Sequence, residues 1–195
     1  KWIIADEIHC DILRAGVTHY PLLKLCPEYS HRIISCTAPS KTFNLAGMQM
    51  SNIVIPNPEY QERWKRHTLD RTGLFHPSAL GVTAMIAAYN ECAEWLDQVN
   101  AYLDENFRFA ADFIARQLPL VRTVPSQGTY LLWLDCNAYG FTPDELAHRM
   151  LHQGHLALDE GVIFGEGGAG FERVNLACPR SVTEEFLRRF QLALS

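Results

Sequence analysis

Short apolar runs and amphipathic stretches alternate along the first half of the chain. Residues 1–5, 32–36 and 51–56 are apolar runs rich in β-branched side chains and ended by polar or proline residues, which is the pattern of buried strands. Residues 58–67 begin with proline and glutamate and continue as a short amphipathic helix. Residues 78–90 predict a helix of small residues that is apolar nearly all round, which we expect to be buried. This alternation predicts an α/β domain.

The second half of the chain begins with one long predicted helix. Apolar residues recur at steps of three or four from Glu91 to Leu118, with no glycine or proline until Pro119. The pattern then becomes that of an α+β domain. We expect, in order, a strand at 129–134, a helix from about Thr142, a strand at 173–177 and a last helix with a capping box of Ser181 and Glu184.

Composition narrows the function classes. The chain has 195 residues, of which 48% are hydrophobic and 20% charged, as in a globular protein large enough to bury a core. Its 17 Lys and Arg against 22 Asp and Glu give a formal charge of −5, which disfavours nucleic-acid binding. No apolar run approaches the ~18 residues of a membrane helix, and no signal-peptide pattern opens the chain. We therefore expect a cytoplasmic protein.

The cysteines and the chain start add two expectations. The six cysteines stand far apart with no C-x-x-C pair, which disfavours a zinc ribbon or a redox couple and favours reduced, partly buried thiols. Residues 1–5 open directly on a strand pattern, with no turn or methionine before it, so we expect a fragment of a longer protein.

Polar residues capable of chemistry follow the first two predicted strands. Asp6 and His9 come directly after the first, where side chains can reach a ligand at the carboxyl edge of an open α/β sheet. Taken alone, Asp6 is more simply a turn or helix cap, and His9 a core histidine. Lys41 follows the second strand, and taken alone it is more simply a solvated charge. Neither cluster identifies a site by itself.

Together, three segments resemble the pyridoxal-phosphate (PLP) enzymes of fold type I, and in particular the cystathionine β-lyase branch that includes the maltose-regulon modulator proteins. They are DEIH at 6–9, APSKTFNLAG at 38–47 and RVNLACPR at 173–180, and the resemblance spans essentially the whole chain. It implies three parts. These are the end of the PLP-binding large domain, with a mostly parallel sheet, at 1–90, a linking helix at 91–118 and a small α+β domain at 119–195.

The resemblance also implies roles for individual residues. Lys41 would join the cofactor aldehyde and move the Cα proton of the substrate, which requires an amine that is neutral for part of the cycle. Asp6 would keep the pyridine nitrogen protonated. His9 stands where many aminotransferases carry a tyrosine that hydrogen-bonds the ring 3-oxygen, and an imidazole N–H can donate that bond. Thr37 and Ser40 offer hydroxyls for the cofactor phosphate.

The phosphate-binding pattern departs from that of aminotransferases, which commonly have serine three residues before the lysine and arginine eight after it. Ala38 and Gln49 stand at those positions here. Arg173 stands where the family keeps the arginine that binds the substrate α-carboxylate, an anion that suits a planar guanidinium. Its simpler alternative is a surface charge at a strand end. Arg180, near the start of the last helix, is expected at the surface.

The activity implied is that of a PLP-dependent carbon–sulfur β-lyase that cleaves cystathionine or cysteine-like thioethers to thiol, pyruvate and ammonia. Aminotransfer is the alternative in the same fold, and binding of a transcriptional regulator is an alternative of another class. Family members are homodimers, and we expect His76-Pro77-Ser78 near that interface. Their phosphate-binding helix, ring-stacking aromatic and 3-oxygen asparagine precede the DEIH strand. We therefore expect the C-terminal half of such an enzyme, inactive alone.

Two other patterns resemble ligand-binding motifs but predict ordinary structural features. The stretch from Gly165 to Gly170 lacks the strand–GxGxxG–helix context of a dinucleotide site and predicts a mobile loop. His148 and His152 have the spacing of a metal pair on a helix, but they lack an adjacent glutamate and a third ligand. We expect an exposed helix face there and no metal.

Overall fold

A computed structural model describes residues 1–73 and 77–195, which form two compact units. The first unit contains Lys1–Val99 and the second contains Asn100–Ser195. The boundary therefore lies inside the long helix, and the three-part division at residues 90 and 118 stays a prediction. Of the stretch His76-Pro77-Ser78, His76 lies outside the described residues.

The first unit is built on a three-stranded sheet in the order β1-β2-β3. The strands are β1 (Ile3–Asp6), β2 (Ile33–Thr37) and β3 (Asn52–Val54), each within one or two residues of its predicted position. β1 and β2 are parallel, whereas β2 and β3 are antiparallel. The parallel pair places the carboxyl ends of β1 and β2 side by side, and the predicted catalytic residues follow these ends.

Among the described residues of this unit, the sheet is accompanied by α1 (Leu22–Leu25), α2 (Pro39–Thr42), α3 (Pro58–Lys65), α4 (Ala79–Glu91) and the start of the next helix. Asn57 begins α3 with a side chain that accepts from two backbone N–H groups, and Ser78 does the same for one N–H of α4. Six more residues after α3, Arg66–Arg71, continue the helix with the wider turns of a π-helix.

The expected burial of α4 is wrong. Only Gly81 and Ala88 are buried among its residues, and Leu80 and Ile86 are 74% and 54% exposed. An apolar surface all round predicts burial only where neighbouring elements surround the helix, and the described chain covers α4 on the side of Gly81. A Cβ at Gly81 would lie 2.7 Å from the Met50 side chain, so this glycine allows close packing.

The second unit is a four-stranded antiparallel sheet packed with helices. The strands β4 (Arg122–Thr123), β5 (Leu131–Asp135), β6 (Asp159–Glu160) and β7 (Phe171–Asn175) lie in the order β4-β5-β7-β6. The helices are α5 (Ala93–Gln117), whose residues from Asn100 onward belong to this unit, α6 (Pro143–His148) and α7 (Arg180–Leu194). Buried apolar residues of α5, β5 and α7, including Ile114, Leu134 and Phe190, form the core of this unit.

Two helix boundaries differ from the sequence expectations. The helices expected at 78–90 and 91–118 are α4 and α5, but the boundary lies at Cys92, whose dihedral angles are non-helical (φ −108°, ψ 25°), so α4 ends one residue later and α5 begins two residues later than expected. The predicted capping box of Ser181 and Glu184 is wrong because α7 begins one residue earlier, at Arg180, and has no side-chain cap. The Tyr102 hydroxyl accepts a hydrogen bond from the Arg180 backbone N–H at 2.7 Å, and so satisfies one of the N–H groups left unpaired at the start of the helix.

The glycine-rich stretch is held by close backbone packing. Residues 161–164 and 166–168 form two 3₁₀ turns. A Cβ on either Gly161 or Gly168 would collide with the backbone of the other, so both positions require glycine. This packing accounts for Gly168, and positive φ values of 121° and 75° favour glycine at positions 165 and 170.

Two further expectations can be compared with the structure. All six cysteines are free thiols, with Cys136 buried and the others half-buried, as predicted. Within residues 1–73 and 77–195, no helix combines the length and apolar character that crossing a membrane requires.

Candidate active site

Asp6 and Lys41 lie on segments that leave neighbouring parallel strands. Asp6 is the last residue of β1 and pairs in register with Cys36 of β2. Lys41 lies five residues beyond Cys36, in the single turn α2 that follows β2. Both side chains are exposed. A carboxylate and a primary amine thus follow the same edge of one sheet, where ligands bind in open α/β folds.

A buried hydrogen bond fixes the turn that carries Lys41. The hydroxyl of Thr42, which is 2% exposed, donates to Asp11 Oδ2 at 2.9 Å. The Cys10 thiol lies 3.5 Å from Asp11 Oδ1, and burial together with the Asp11 charge raises the pKa of this thiol to about 12, so it stays a donor. Asp11 therefore ties the segment after β1 to the segment after β2, and with it the spacing between Asp6 and Lys41.

We expect Thr42→Val to destabilise the protein by about 1–3 kcal/mol, because the isosteric side chain removes a buried hydrogen bond to a carboxylate. Thr42→Ser keeps the hydroxyl and is expected to lose less than half of that amount. Urea unfolding of both variants measures the difference. Equal stability of the Val and Ser variants would mean that the hydrogen bond to Asp11 contributes nothing.

Glu7 forms a second connection beneath the same edge. Its carboxylate accepts from the Ser35 hydroxyl at 2.6 Å and from the Leu22 backbone N–H at 2.8 Å, and His19 Nε2 lies 3.5 Å away. Burial raises the pKa of the Glu7 carboxyl, but the hydrogen bonds from Ser35 and Leu22, with His19, lower it by more, so the net shift is downward. Glu7 is therefore held as an anion that joins β1, β2 and the start of α1.

The remaining predicted residues of the first unit lie close by in the chain. His9 is half-buried in the turn after β1. The Thr37 hydroxyl, at the end of β2, accepts a hydrogen bond from the Asn52 amide at 3.4 Å, and Ser40 is half-buried within α2. The structure thus places Thr37 and Ser40 on either side of the step from β2 into α2.

Arg173 lies in the second unit, in the central strand β7, and not at a solvated strand end. Its Nη2 and Nε donate to Asp159 Oδ2 at 2.7 and 3.1 Å. The guanidinium carbon lies 4.3 Å from the centre of the Phe164 ring. The side chain is 25% exposed, so the guanidinium is oriented and still reachable from solvent.

His148 and His152 lie at the surface as expected, whereas Arg180, which was also expected there, is half-buried. The Arg180 guanidinium stacks 4.4 Å above the Phe109 ring. His148 and His152 are exposed, with ring centres 4.5 Å apart. No group of three or more possible metal ligands occurs among residues 1–73 and 77–195.

The chain is similar to a family of known proteins over nearly its whole length. Residues 1–190 match the model of the family described as aminotransferase class I and II. The chain belongs to that family. It is 39% identical to cystathionine beta-lyase PatB of Bacillus subtilis strain 168, over 99% of this chain and 50% of the relative. It is 33% identical to Protein MalY of Escherichia coli K12, over 94% of this chain and 46% of the relative.

A solved structure of a family member shares the fold. The crystal structure of cystalysin from Treponema denticola, which contains a pyridoxal 5′-phosphate cofactor, aligns with a TM-score of 0.94 and 40% identity. The alignment covers 99% of this chain and 49% of cystalysin. The α/β architecture and the resemblance to the cystathionine β-lyase branch are therefore confirmed. The chain spans about half the length of the curated relatives it matches.

Sequence reasoning missed the residues that support the site of this aminotransferase-family chain. Glu7, Asp11 and Ser35 are not among the predicted site residues, although Glu7 lies inside the DEIH segment. Their partners lie 28 or 31 positions away in the chain, or in the case of Leu22, 15 positions away. The local signal in the sequence is the density of acidic residues at the end of β1 and just beyond it, at positions 6, 7 and 11.

Proposed function

We propose that the protein carrying this chain is a PLP-dependent carbon–sulfur β-lyase that cleaves cystathionine or cysteine-like thioethers to a thiol, pyruvate and ammonia. The observation that carries the proposal is the position of Asp6 at the end of β1 and of Lys41 in the turn after the neighbouring parallel strand β2. The identity of 33–39% to cystathionine beta-lyase PatB and Protein MalY supports the lyase branch of the family.

The donor set of the first unit fits pyridoxal phosphate. Lys41 offers a primary amine for an aldehyde, Asp6 a carboxylate for a protonated ring nitrogen, and His9 an N–H for a phenolate oxygen. When bound, the cofactor supplies an electron-accepting ring that stabilises negative charge at the substrate Cα. The hydroxyls of Thr37 and Ser40 are proposed as donors to its phosphate group.

Lys41 is proposed to act twice. Its Nζ would hold the cofactor covalently, and as a free amine the same atom would remove the proton from the substrate Cα. The bond between Cβ and sulfur then breaks with the electron pair leaving on the thiolate. Water completes the conversion of the remaining three-carbon unit to pyruvate and ammonia. The hydrogen bond from Thr42 to Asp11 would keep the lysine-bearing turn in place for both tasks.

Arg173 is proposed to bind the α-carboxylate of the amino-acid substrate. A guanidinium binds a carboxylate through two parallel N–H···O bonds, which fixes the orientation of the substrate as well as its charge. Arg173 is held by Asp159 and Phe164 and remains accessible, as such a receptor requires.

A product assay separates the lyase from an aminotransferase. With cystathionine as substrate, we expect pyruvate and free thiol in a one-to-one ratio, formed without an added keto acid. An aminotransferase uses the same amine, carboxylate and guanidinium but requires a keto acid and releases no thiol. Amino transfer that depends on a keto acid, without thiol release, would overturn the lyase proposal.

Three finer expectations are proposed with this function. Homodimer formation is tested by sedimentation, and a cytoplasmic location, consistent with six free thiols, by cell fractionation. Binding of a transcriptional regulator is the alternative of another class. A pull-down that retains a regulator after Lys41→Ala would support this alternative, since such binding does not need the lysine amine.

A further inference from the structure

Arg173 and Asp159 form a cross-strand ion pair that uses one edge of the guanidinium. The two residues are partners in the register of β6 and β7. Both hydrogen bonds from Arg173 reach the same oxygen, Asp159 Oδ2, and they come from Nε and Nη2. Asp159 therefore occupies the side edge of the guanidinium. The end edge, formed by Nη1 and the second N–H of Nη2, has the geometry that a bidentate carboxylate needs.

Aromatic residues restrict the motion of the Arg173 guanidinium on one of its faces. The Phe164 ring lies against the guanidinium, with its centre 4.3 Å from the Arg173 Cζ. Trp133, which pairs with Arg173 in register on the other side of β7, packs edge-on against Phe164 with ring centres 5.2 Å apart. The guanidinium is thus held by a carboxylate at one edge and by a supported ring on one face.

We infer that Asp159 is a positioning residue, which presents the end edge of Arg173 to the substrate carboxylate and so sets the preference for amino acids over neutral analogues. This inference rests on the proposed function. A free arginine side chain samples many rotamers, and fixing it before the substrate arrives lowers the entropy cost of binding. Asp159 itself does not touch the substrate in this arrangement.

The test is the ratio of affinities for a carboxylate and its neutral amide. L-Alanine has no leaving group at Cβ, so it can bind without thiol loss, and L-alaninamide differs from it only in the group that Arg173 would contact. Titration calorimetry of the holoenzyme with each compound gives the two dissociation constants. We expect Arg173→Gln to lower the amide-to-acid ratio of these constants by about tenfold or more.

Asp159 variants then isolate the positioning role. We expect Asp159→Ala to lower the ratio about tenfold, with kcat for cystathionine within about twofold of the parent and KM raised about tenfold. Asp159→Asn keeps an acceptor oxygen and is expected to retain the ratio within about threefold. Phe164→Leu, which keeps an apolar group without the ring, provides a second variant with an expected loss of about threefold.

The matched control is Arg122→Ala. Arg122 and Asp135 form a cross-strand pair of nearly the same geometry, with Nη2 and Nε at 2.8 and 3.2 Å from Asp135 Oδ2. Loss of the Arg122–Asp135 pair is expected to leave the amide-to-acid ratio unchanged. That result would show that the loss of a surface ion pair does not by itself change the ratio.

The outcomes separate the two proposals. A ratio that falls in Arg173→Gln but stays at the parent value in both Asp159→Ala and Phe164→Leu overturns the positioning role and leaves the proposed function standing. A ratio that does not change in Arg173→Gln removes the assignment of Arg173, and the inference with it.

Discussion

Replacing Lys41 by alanine is expected to lower the turnover of cystathionine about 10³-fold or more, because the substitution removes both the covalent attachment of the cofactor and the base that takes the Cα proton. The sequence has four lysines, and Lys41 alone lies after a strand neighbouring that of Asp6. The loss should appear in kcat, since the binding residue proposed for the substrate carboxylate is unchanged. Fixed-time assays of thiol and pyruvate formation measure this loss in kcat.

Chemical labelling provides the decisive companion measurement. Borohydride fixes the bond between a lysine amine and an aldehyde, and peptide mapping identifies which lysine has gained mass. We expect the mass on Lys41 in the parent protein and on no lysine in Lys41→Ala. Lys65→Ala removes an exposed lysine in the last turn of α3 and is the matched control, with activity and label both retained. Label on Lys65, or activity retained in Lys41→Ala, would contradict the role of Lys41.

Local pattern predicts the positions of the two strands that lead to the site, but the expected burial is correct for β2 and wrong for β1. Ile33 of β2 is buried, whereas Ile3 and Ile4 of β1 are 45% and 70% exposed, and β1 lies at the edge of its sheet. β2 was expected at 32–36 and lies at Ile33–Thr37. The apolar run ends where the chain leaves the sheet, so the polar residues that follow, including Lys41, could be assigned to its carboxyl edge. The positions of β1 and β2 therefore transfer from sequence to structure with an error of one or two residues, whereas β3 was expected at 51–56 and has only the three residues Asn52–Val54.

Features that depend on distant partners could not be predicted in this way. The hydrogen bond from Thr42 to Asp11 joins residues 31 positions apart and leaves no periodic signal. Asp159 belongs to a two-residue strand, too short to produce an alternating pattern, yet it determines the orientation of Arg173. Exposure of Leu80 on α4 is likewise set by what surrounds the helix and not by its own residues.

The boundary between α4 and α5, at Cys92, was expected between residues 90 and 91. Neither glycine nor proline stands there, and the hydrogen bonds from Cys92 N–H to Ala88 and from Leu96 N–H to Cys92 persist around it. The change from the small apolar residues of α4 to the amphipathic spacing of α5 was sufficient to predict two helices without a breaker residue. The start of α7 was not predicted, because its cap comes from Tyr102, 78 residues before Arg180.

Glu172 gives the second large expected effect, a pH-dependent stability of the second unit. This residue is 1% exposed, and its Oε2 has no hydrogen-bond partner among the residues that the structure describes. Burial, with the neighbouring charges of Glu160 and Asp159, raises the pKa of the Glu172 carboxyl from 4.5 to about 7. The buried Cys136 thiol beside it has a pKa raised to about 12, so it does not titrate in this range.

The sign of the effect follows from proton binding. Between pH 4.5 and 7 the folded protein keeps the Glu172 proton whereas the unfolded chain releases it, so the contribution of this group to stability falls as pH rises through that window. The whole loss amounts to about 3 kcal/mol, since one pKa unit corresponds to about 1.4 kcal/mol. Glu172→Gln is neutral at every pH, so at pH 8 it should exceed the parent in unfolding free energy by up to about 3 kcal/mol, and match it near pH 4.5.

Denaturant unfolding at a series of pH values measures this difference. Glu184→Gln, an exposed glutamate in α7 of the same unit, is the control and should follow the parent profile within about 0.5 kcal/mol. Glu160→Gln removes one of the charges that raise the Glu172 pKa. At pH 8 it should therefore show part of the increase in unfolding free energy expected for Glu172→Gln, without any change at Glu172 itself. Parallel profiles for Glu172→Gln and the parent would show that Glu172 has its ordinary pKa in the folded protein. The buried carboxyl would then have to be solvated or paired.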